Sequence, residues 1–266
     1  MTTGLRALSL ALSLVTLSAC GGTRSGDYWG ADATAVPGWN RLGEAALAAA
    51  TDPMTWLPVA TAAGLQIGDA DDEIAEWAHE ETPVFGSRTR AENASDWLRV
   101  GSFALYGAAG LAAPAPTGEW LSTKAKGFAV GGGAILATWG TTAGLKAATH
   151  RRRPLGSGND SFPSNHASLT GASVRLTHET LRHYHLPPAV RFGSDVGLTG
   201  LALATAWARV EAGKHHPSDV LAGLALGNFV AVFATEAFLA PVAGEAVRLG
   251  AAPHGDGMLL QLSVGF

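Results

Sequence analysis

The chain has little charge and almost no cysteine. Only 15% of its 266 residues are charged, against roughly 25% in an average globular protein. The single cysteine, Cys20, excludes an internal disulfide framework and a cysteine zinc site. The formal net charge of -4 argues against a general nucleic-acid binder. A hydrophobic fraction of 47% excludes a wholly disordered chain. The sequence therefore has an apolar composition, and its few charged residues are informative.

The first nineteen residues have the pattern of a bacterial signal peptide. Arg6 is their only charged residue, and an apolar stretch runs from Ala7 to Leu17. This stretch is shorter than the roughly 20 residues that a membrane-spanning helix needs, so residues 1–19 are predicted to be a cleaved signal. It ends in Leu17-Ser18-Ala19-Cys20, which resembles a lipobox, and Cys20 is the predicted lipidation site. Acyl chains on Cys20 would anchor the mature protein to a membrane.

Three further parts follow the signal. Residues 20–36 are predicted to be a flexible tether. Residues 37–243 carry helical patterns, including uncharged stretches at 100–118 and 127–145, and predict an all-α helical bundle. The sequence leaves open whether these apolar helices cross a membrane, lie against it or form a bundle core. Residues 244–266 are predicted to be a C-terminal tail with a short strand, because apolar residues alternate there.

Two groups of charged residues are predicted to be ordinary solvated charge. The acidic run from Asp69 to Glu76 lacks the glycine of a calcium loop, since Ile74 occupies that place, and suits an exposed helix N-terminus. Arg151 and Arg152 are interpreted as solvated charge beside the candidate site.

Three polar clusters interrupt the apolar helices. They span residues 146–154, 162–168 and 208–219. Each cluster lies where a predicted helix begins or ends, with Ser164 as a predicted N-cap and Pro217 in a predicted first turn. Helix N-termini present free N–H groups, and the forked guanidinium of arginine matches phosphate oxygens. The clusters therefore predict a site for a phosphate-like anion.

The histidines of these clusters predict chemistry as well as binding. His215 and Asp219 are four residues apart at a helix start, so we expect the carboxylate to accept a hydrogen bond from one imidazole nitrogen. The other nitrogen is then free as a nucleophile. His166 is available to protonate a departing oxygen. This pattern predicts a phosphohistidine intermediate and requires no metal ion.

The clusters resemble the three-part signature of the type 2 phosphatidic acid phosphatase and vanadium haloperoxidase superfamily. That signature reads Lys, six residues, Arg-Pro; then Pro-Ser-Gly-His; then Ser-Arg, five residues, His, three residues, Asp, and its spacings are matched between Lys146 and Asp219. The resemblance implies a helical bundle with the site at the ends of its central helices. It also implies a role for each matched position: phosphate binding by Lys146, Arg153 and Arg209, a phosphate cradle completed by Ser164 and the N–H of Asn165, and catalysis by His166 as general acid, His215 as nucleophile and Asp219 as its orienting partner.

Two positions depart from the signature. Ala208 stands where the family has Ser, which removes one hydroxyl. Asn165 replaces the Gly of the second part. If that position requires a positive φ, Asn is the least costly replacement for Gly. We therefore predict an active enzyme whose rate or substrate range differs from that of relatives with Gly.

The resemblance implies a metal-independent phosphatase for a phosphomonoester or pyrophosphate, with a phosphorylated lipid among the candidate substrates. It implies no cofactor. One alternative is a haloperoxidase, which would use vanadate as its cofactor. Another is a non-catalytic lipoprotein that binds anionic head groups, although the His215 and Asp219 pair argues against it. Gly21 stands where Asp retains many enteric lipoproteins at the inner membrane, so the sequence favours a periplasm-facing lipoprotein of the outer membrane.

Overall fold

The computed structural model of the protein describes residues 28–239, 247–254 and 257–264. Within them lie eight α-helices: α1 Trp39–Thr51, α2 Pro53–Leu65, α3 Ala70–Glu81, α4 Arg88–Ala112, α5 Trp120–Thr149, α6 Asn165–Leu181, α7 Pro188–Glu211 and α8 Pro217–Ala234. A π-helical turn at Thr235–Leu239 follows α8. Strands β1 (Val247–His254) and β2 (Gly257–Val264) pair in an antiparallel hairpin. The predicted all-α bundle is confirmed, and the strand predicted in the tail has a hairpin partner that the sequence did not predict.

Helices α6 and α8 are the central pair of the bundle. α4 and α7 pack on α6, while α1 and α2 pack on α8. The close approach of α6 and α8 depends on small residues, because a Cβ at Gly227 would collide with the main-chain oxygen of Ser168. The main-chain N–H of Ser164, the N-cap of α6, donates to the main-chain oxygen of Asp219 at 3.0 Å. Both central helices therefore begin at the same end of the bundle.

An aromatic cluster packs at another part of the core. Trp29 is buried against Tyr106 of α4 and Phe128 of α5, with its ring 5.0 Å from that of Phe128 in an edge-to-face arrangement. Trp29 belongs to the segment predicted to be a flexible tether. That prediction is wrong for Trp29, because the burial of this large side chain holds the segment against the bundle.

One helical stretch of the described residues is long and apolar enough to cross a membrane. It covers residues 217–239, and 61% of its most apolar part is buried inside the bundle. The core helix of a soluble protein meets the same criterion, so this stretch gives only a weak indication of membrane association. The predicted signal peptide and Cys20 lie outside the described residues.

Candidate active site

The three polar clusters meet at the end of the bundle where α6 and α8 begin. Lys146 lies in the last turn of α5, and His150, which follows the helix, has a left-handed conformation. Arg209 lies in the last turn of α7, and Gly213 turns the chain toward α8 with a φ of 65°. The fold thus brings one cation from each of two helix ends to the start of the central pair.

His215 is buried, with 2% of its surface exposed. Its Nδ1 atom lies 2.7 Å from the main-chain oxygen of Ser161, and it can only donate to that acceptor. The distance from Nδ1 to the nearer carboxylate oxygen of Asp219 is 3.9 Å, which is too long for a hydrogen bond. The expected hydrogen bond between His215 and Asp219 is therefore absent, and the Ser161 carbonyl takes its place. With Nδ1 protonated, Nε2 carries the lone pair.

Asp219 is fully buried and lies at the third position of α8, where it caps its own helix. Its Oδ2 atom accepts from the main-chain N–H of His216 at 2.9 Å and from the hydroxyl of Ser161 at 2.5 Å. Its Oδ1 atom accepts from Arg151 at 2.7 Å. Asp219 is therefore linked to His215 through Ser161 rather than by direct contact.

Three cations act on His215. Burial and the positive charges of Arg209, Lys146 and Arg153 lower the pKa of His215 well below its usual value of 6.5. The imidazole is consequently neutral at neutral pH, as a nucleophile must be. Burial also lowers the pKa of Arg209 to about 10.

Some of the predicted phosphate-binding residues have a buried polar atom that makes no hydrogen bond within the described part of the chain. Lys146 donates to the main-chain oxygen of Asp160, and Arg153 pairs with the Asp160 carboxylate at 2.8 Å. Nη1 of Arg209 donates to Ser95 at 3.1 Å. Among the described residues, however, the Nε atoms of both arginines and the hydroxyl of Ser164 are buried without a hydrogen-bond partner. Because an unpaired buried polar group costs about 1 to 3 kcal/mol, these atoms suit a phosphate-like ligand.

His166 lies in the first turn of α6 and contacts a residue that the sequence did not single out. Its Nε2 atom lies 2.7 Å from a carboxylate oxygen of Asp96 in α4. Burial and the charge of Arg209 lower the pKa of His166 to about 4, although Asp96 raises it. No sequence pattern indicates Asp96, since it comes from a helix far from the three clusters.

Asn165 is the first residue of α6 and is half-buried. Within the described residues, the non-glycine positions with positive φ are Thr82 and His150, so Asn165 is not among them. The condition under which Asn would relieve backbone strain is therefore not met. The side chain of Asn165, rather than its backbone, is the relevant difference from glycine. The neighbouring Ser164 is the N-cap by position, but its hydroxyl makes no capping hydrogen bond.

Asp71 and Arg151 belong to the site, contrary to the prediction of solvated charge. Asp71 is only 4% exposed, and its carboxylate lies 2.6 Å from the guanidinium of Arg151. Arg151 reaches Asp219 with its other terminal nitrogen. The burial of Asp71 was detectable in the sequence, because Ala75 and Ala78 follow it at helical spacing on the buried face of α3. Asp72 and Glu73 are exposed, as predicted.

The protein has an all-α fold. Several cations and a buried, neutral histidine lie together at the ends of its central helices. Residues 126–241 match the family model of the PAP2 superfamily. This match supports a phosphatase or a related activity. No curated protein and no solved structure gives a significant match to the chain.

Proposed function

We propose that the protein hydrolyses a phosphomonoester or pyrophosphate through a phosphohistidine intermediate on His215. The supporting observation is that a buried, neutral imidazole, with Nδ1 held by the Ser161 carbonyl, lies within the influence of three cations. Unpaired donors on Arg153, Arg209 and Ser164 supply the hydrogen bonds that a phosphoryl group accepts.

In the first step, Nε2 of His215 attacks phosphorus and the bond to the leaving oxygen breaks. His166 gives its proton to that oxygen. Lys146, Arg153 and Arg209 stabilise the charge on the phosphoryl oxygens in the transition state. The main-chain acceptor on Nδ1 stabilises the positive charge that develops on the imidazole.

In the second step, water attacks the phosphohistidine and the N–P bond breaks. Neutral His166 accepts the proton of the attacking water, which restores both histidines and releases phosphate. These roles call for no cofactor. A lipid phosphate at a membrane to which Cys20 is anchored remains part of the proposal, because an anchored enzyme meets such a substrate at its own surface. We also retain the predicted location at the outer membrane, facing the periplasm.

Phosphate release from p-nitrophenyl phosphate by the full chain tests the proposal. His215→Ala should lose about 10³-fold or more in kcat, since the nucleophile is removed. His185→Ala, in an exposed histidine outside the site, is the matched control and should keep the wild-type rate. Rapid quenching with a ³²P-labelled substrate should trap an acid-labile, alkali-stable phosphoprotein. Wild-type hydrolysis by His215→Ala would contradict the proposal.

Vanadate separates this proposal from the haloperoxidase alternative. As a phosphate mimic it should inhibit phosphate release competitively. Halogenation of a dye in the presence of vanadate, halide and peroxide would instead support the alternative.

A further inference from the structure

Asp71 caps the N-terminus of α8 from a different helix. It lies in α3, well before the matched family region begins at residue 126. One oxygen of its carboxylate accepts from the main-chain N–H of Ser218 at 2.8 Å, and the other accepts from the Ser218 hydroxyl at 2.5 Å. These bonds satisfy a main-chain donor that the first turn of α8 leaves free. Asp71 thereby fixes the start of the helix that carries Asp219.

Arg151 connects Asp71 to the residues around His215. Its Nη2 atom lies 2.6 Å from Asp71, and its Nη1 atom lies 2.7 Å from both Asp219 and the Ser218 hydroxyl. Its main-chain oxygen accepts from the N–H of Ser161 at 3.0 Å. A single residue therefore holds both the carboxylate of Asp219 and the loop that presents the Ser161 carbonyl.

The charges of this network favour its ionised form. Burial raises the pKa of Asp71, but hydrogen bonds from Ser218 and Arg151 outweigh burial and leave the pKa below its usual value. Arg151 faces two carboxylates, those of Asp71 and Asp219. Removal of Asp71 would leave the guanidinium with one anionic partner and release one of its two anchored ends.

We propose that Asp71 and Arg151 are positioning residues for His215. They hold Asp219 and the Ser161 carbonyl in the geometry that keeps the proton on Nδ1 and directs the Nε2 lone pair to phosphorus. Neither residue is placed against the phosphoryl group. This inference rests on the proposed function for its kinetic consequence, but its structural consequence, the tautomer of His215, does not require turnover.

The main test is Asp71→Asn in the full chain. The amide has nearly the same size, but it carries donors where Ser218 and Arg151 also donate, so the network has to rearrange. We expect kcat to fall by between about 10-fold and 100-fold, with KM changed by less than about twofold because the phosphate-binding residues are intact. Nitrogen-15 NMR of the imidazoles should show His215 losing its single Nδ1-protonated form. A purely structural cap would lower the melting temperature and leave both readouts unchanged.

Two further variants complete the design. Glu73→Gln makes the same charge change at an exposed position of α3 and should match the wild type in kcat and in the His215 spectrum. Arg151→Lys keeps the positive charge and should recover part of the kcat that Arg151→Gln loses. If Asp71→Asn does not fold, Arg151→Lys tests the proposal in its place.

The outcomes separate the two proposals. A folded Asp71→Asn protein with the kcat and His215 tautomer of Glu73→Gln would overturn the positioning role. An inactive wild type would overturn the proposed function, and the nitrogen-15 spectra of the same proteins would still decide whether Asp71 and Arg151 set the tautomer of His215.

Discussion

The Nδ1 atom of His215 lies 2.7 Å from the main-chain oxygen of Ser161. A main-chain oxygen accepts but never donates, so this contact fixes the imidazole tautomer without depending on the charge of a side chain. The hydroxyl of the same serine donates to Asp219 at 2.5 Å. Ser161 therefore links the buried carboxylate to the nucleophile through its main chain and its side chain.

Ser161→Ala should separate these two contributions. The variant keeps the carbonyl that binds His215 but removes the hydroxyl that binds Asp219. Since one buried acceptor loses a donor, the free energy of unfolding should fall by about 1 to 3 kcal/mol. We expect kcat to fall by about 10-fold, less than in Asp219→Ala, because Arg151 and the main chain of His216 still hold Asp219. Ser157→Ala, at an exposed serine of the same loop, is the control. Equal losses of kcat in Ser161→Ala and Asp219→Ala would show that the contact of the Ser161 carbonyl with His215 does not preserve activity when the hydroxyl contact with Asp219 is lost.

The pKa of His166 predicts the pH dependence of the reaction. A general acid must be protonated, and the pKa of His166 is lowered to about 4 by burial and Arg209. The value of kcat/KM, which reports the free enzyme, should therefore fall as the pH rises above about 4. A bound phosphoryl group adds negative charge near His166, so the corresponding decline in kcat should lie at higher pH.

Asp96→Asn should move this decline in kcat/KM to still lower pH. Asp96 raises the pKa of His166 through its hydrogen bond and its charge, so its neutralisation lowers that pKa further. Pre-steady-state and steady-state rates measured from pH 3 to pH 8 check the shift. Glu80→Gln removes an exposed acidic charge elsewhere and should leave the profile in place. An unchanged profile in Asp96→Asn would show that His166 is not the group that titrates.

Asn165→Gly tests the departure from the family signature. Asn165 begins α6 without a positive φ, so glycine is not needed for the backbone and removes only the half-buried amide side chain. We expect kcat/KM to change, and to change more for bulky phosphomonoesters than for small ones, because the half-buried Asn165 directly precedes His166 in the chain. Phosphate release across a series of aryl and alkyl phosphates measures this. Identical kinetics of variant and wild type for every substrate would mean that the departure has no functional effect.

The site was predictable where it depends on local sequence and unpredictable where it depends on packing between distant helices. The N-cap residue Ser164 and the first-turn residue Pro217 predicted where α6 and α8 start, and the motif spacing identified the cations. The expected contact between His215 and Asp219 assumed that both residues are helical. His215 instead precedes the N-cap residue His216, so the spacing rule for helix faces does not apply to it. Asp71 and Asp96 reach the site from α3 and α4, and only the tertiary fold brings them there.

Glu179 provides a test of stability that is independent of the site. It lies near the end of α6, 13 residues after His166, which corresponds to about 20 Å along the helix. It is buried and forms ion pairs with Arg175 at 2.7 Å and Arg182 at 3.0 Å. Burial raises its pKa, but the neighbouring His178 and the positive charges of Arg175 and Arg182 outweigh burial and lower the pKa to about 2.

The lowered pKa of Glu179 determines how the stability of the fold changes with pH. The folded state binds the proton of Glu179 more weakly than the unfolded state, whose pKa is near 4.5. The stabilisation is therefore fully present above pH 4.5 and is lost as the pH falls toward 2. A difference of this size corresponds to about 3 kcal/mol. We expect Glu179→Gln to lower the free energy of unfolding by about this amount at pH 7 and by less at pH 3, while kcat stays at the wild-type value. Urea unfolding followed by circular dichroism at both pH values, with Glu76→Gln as the exposed control, measures the difference. A penalty that is the same at pH 7 and pH 3 would show that the charge of Glu179 does not stabilise the fold.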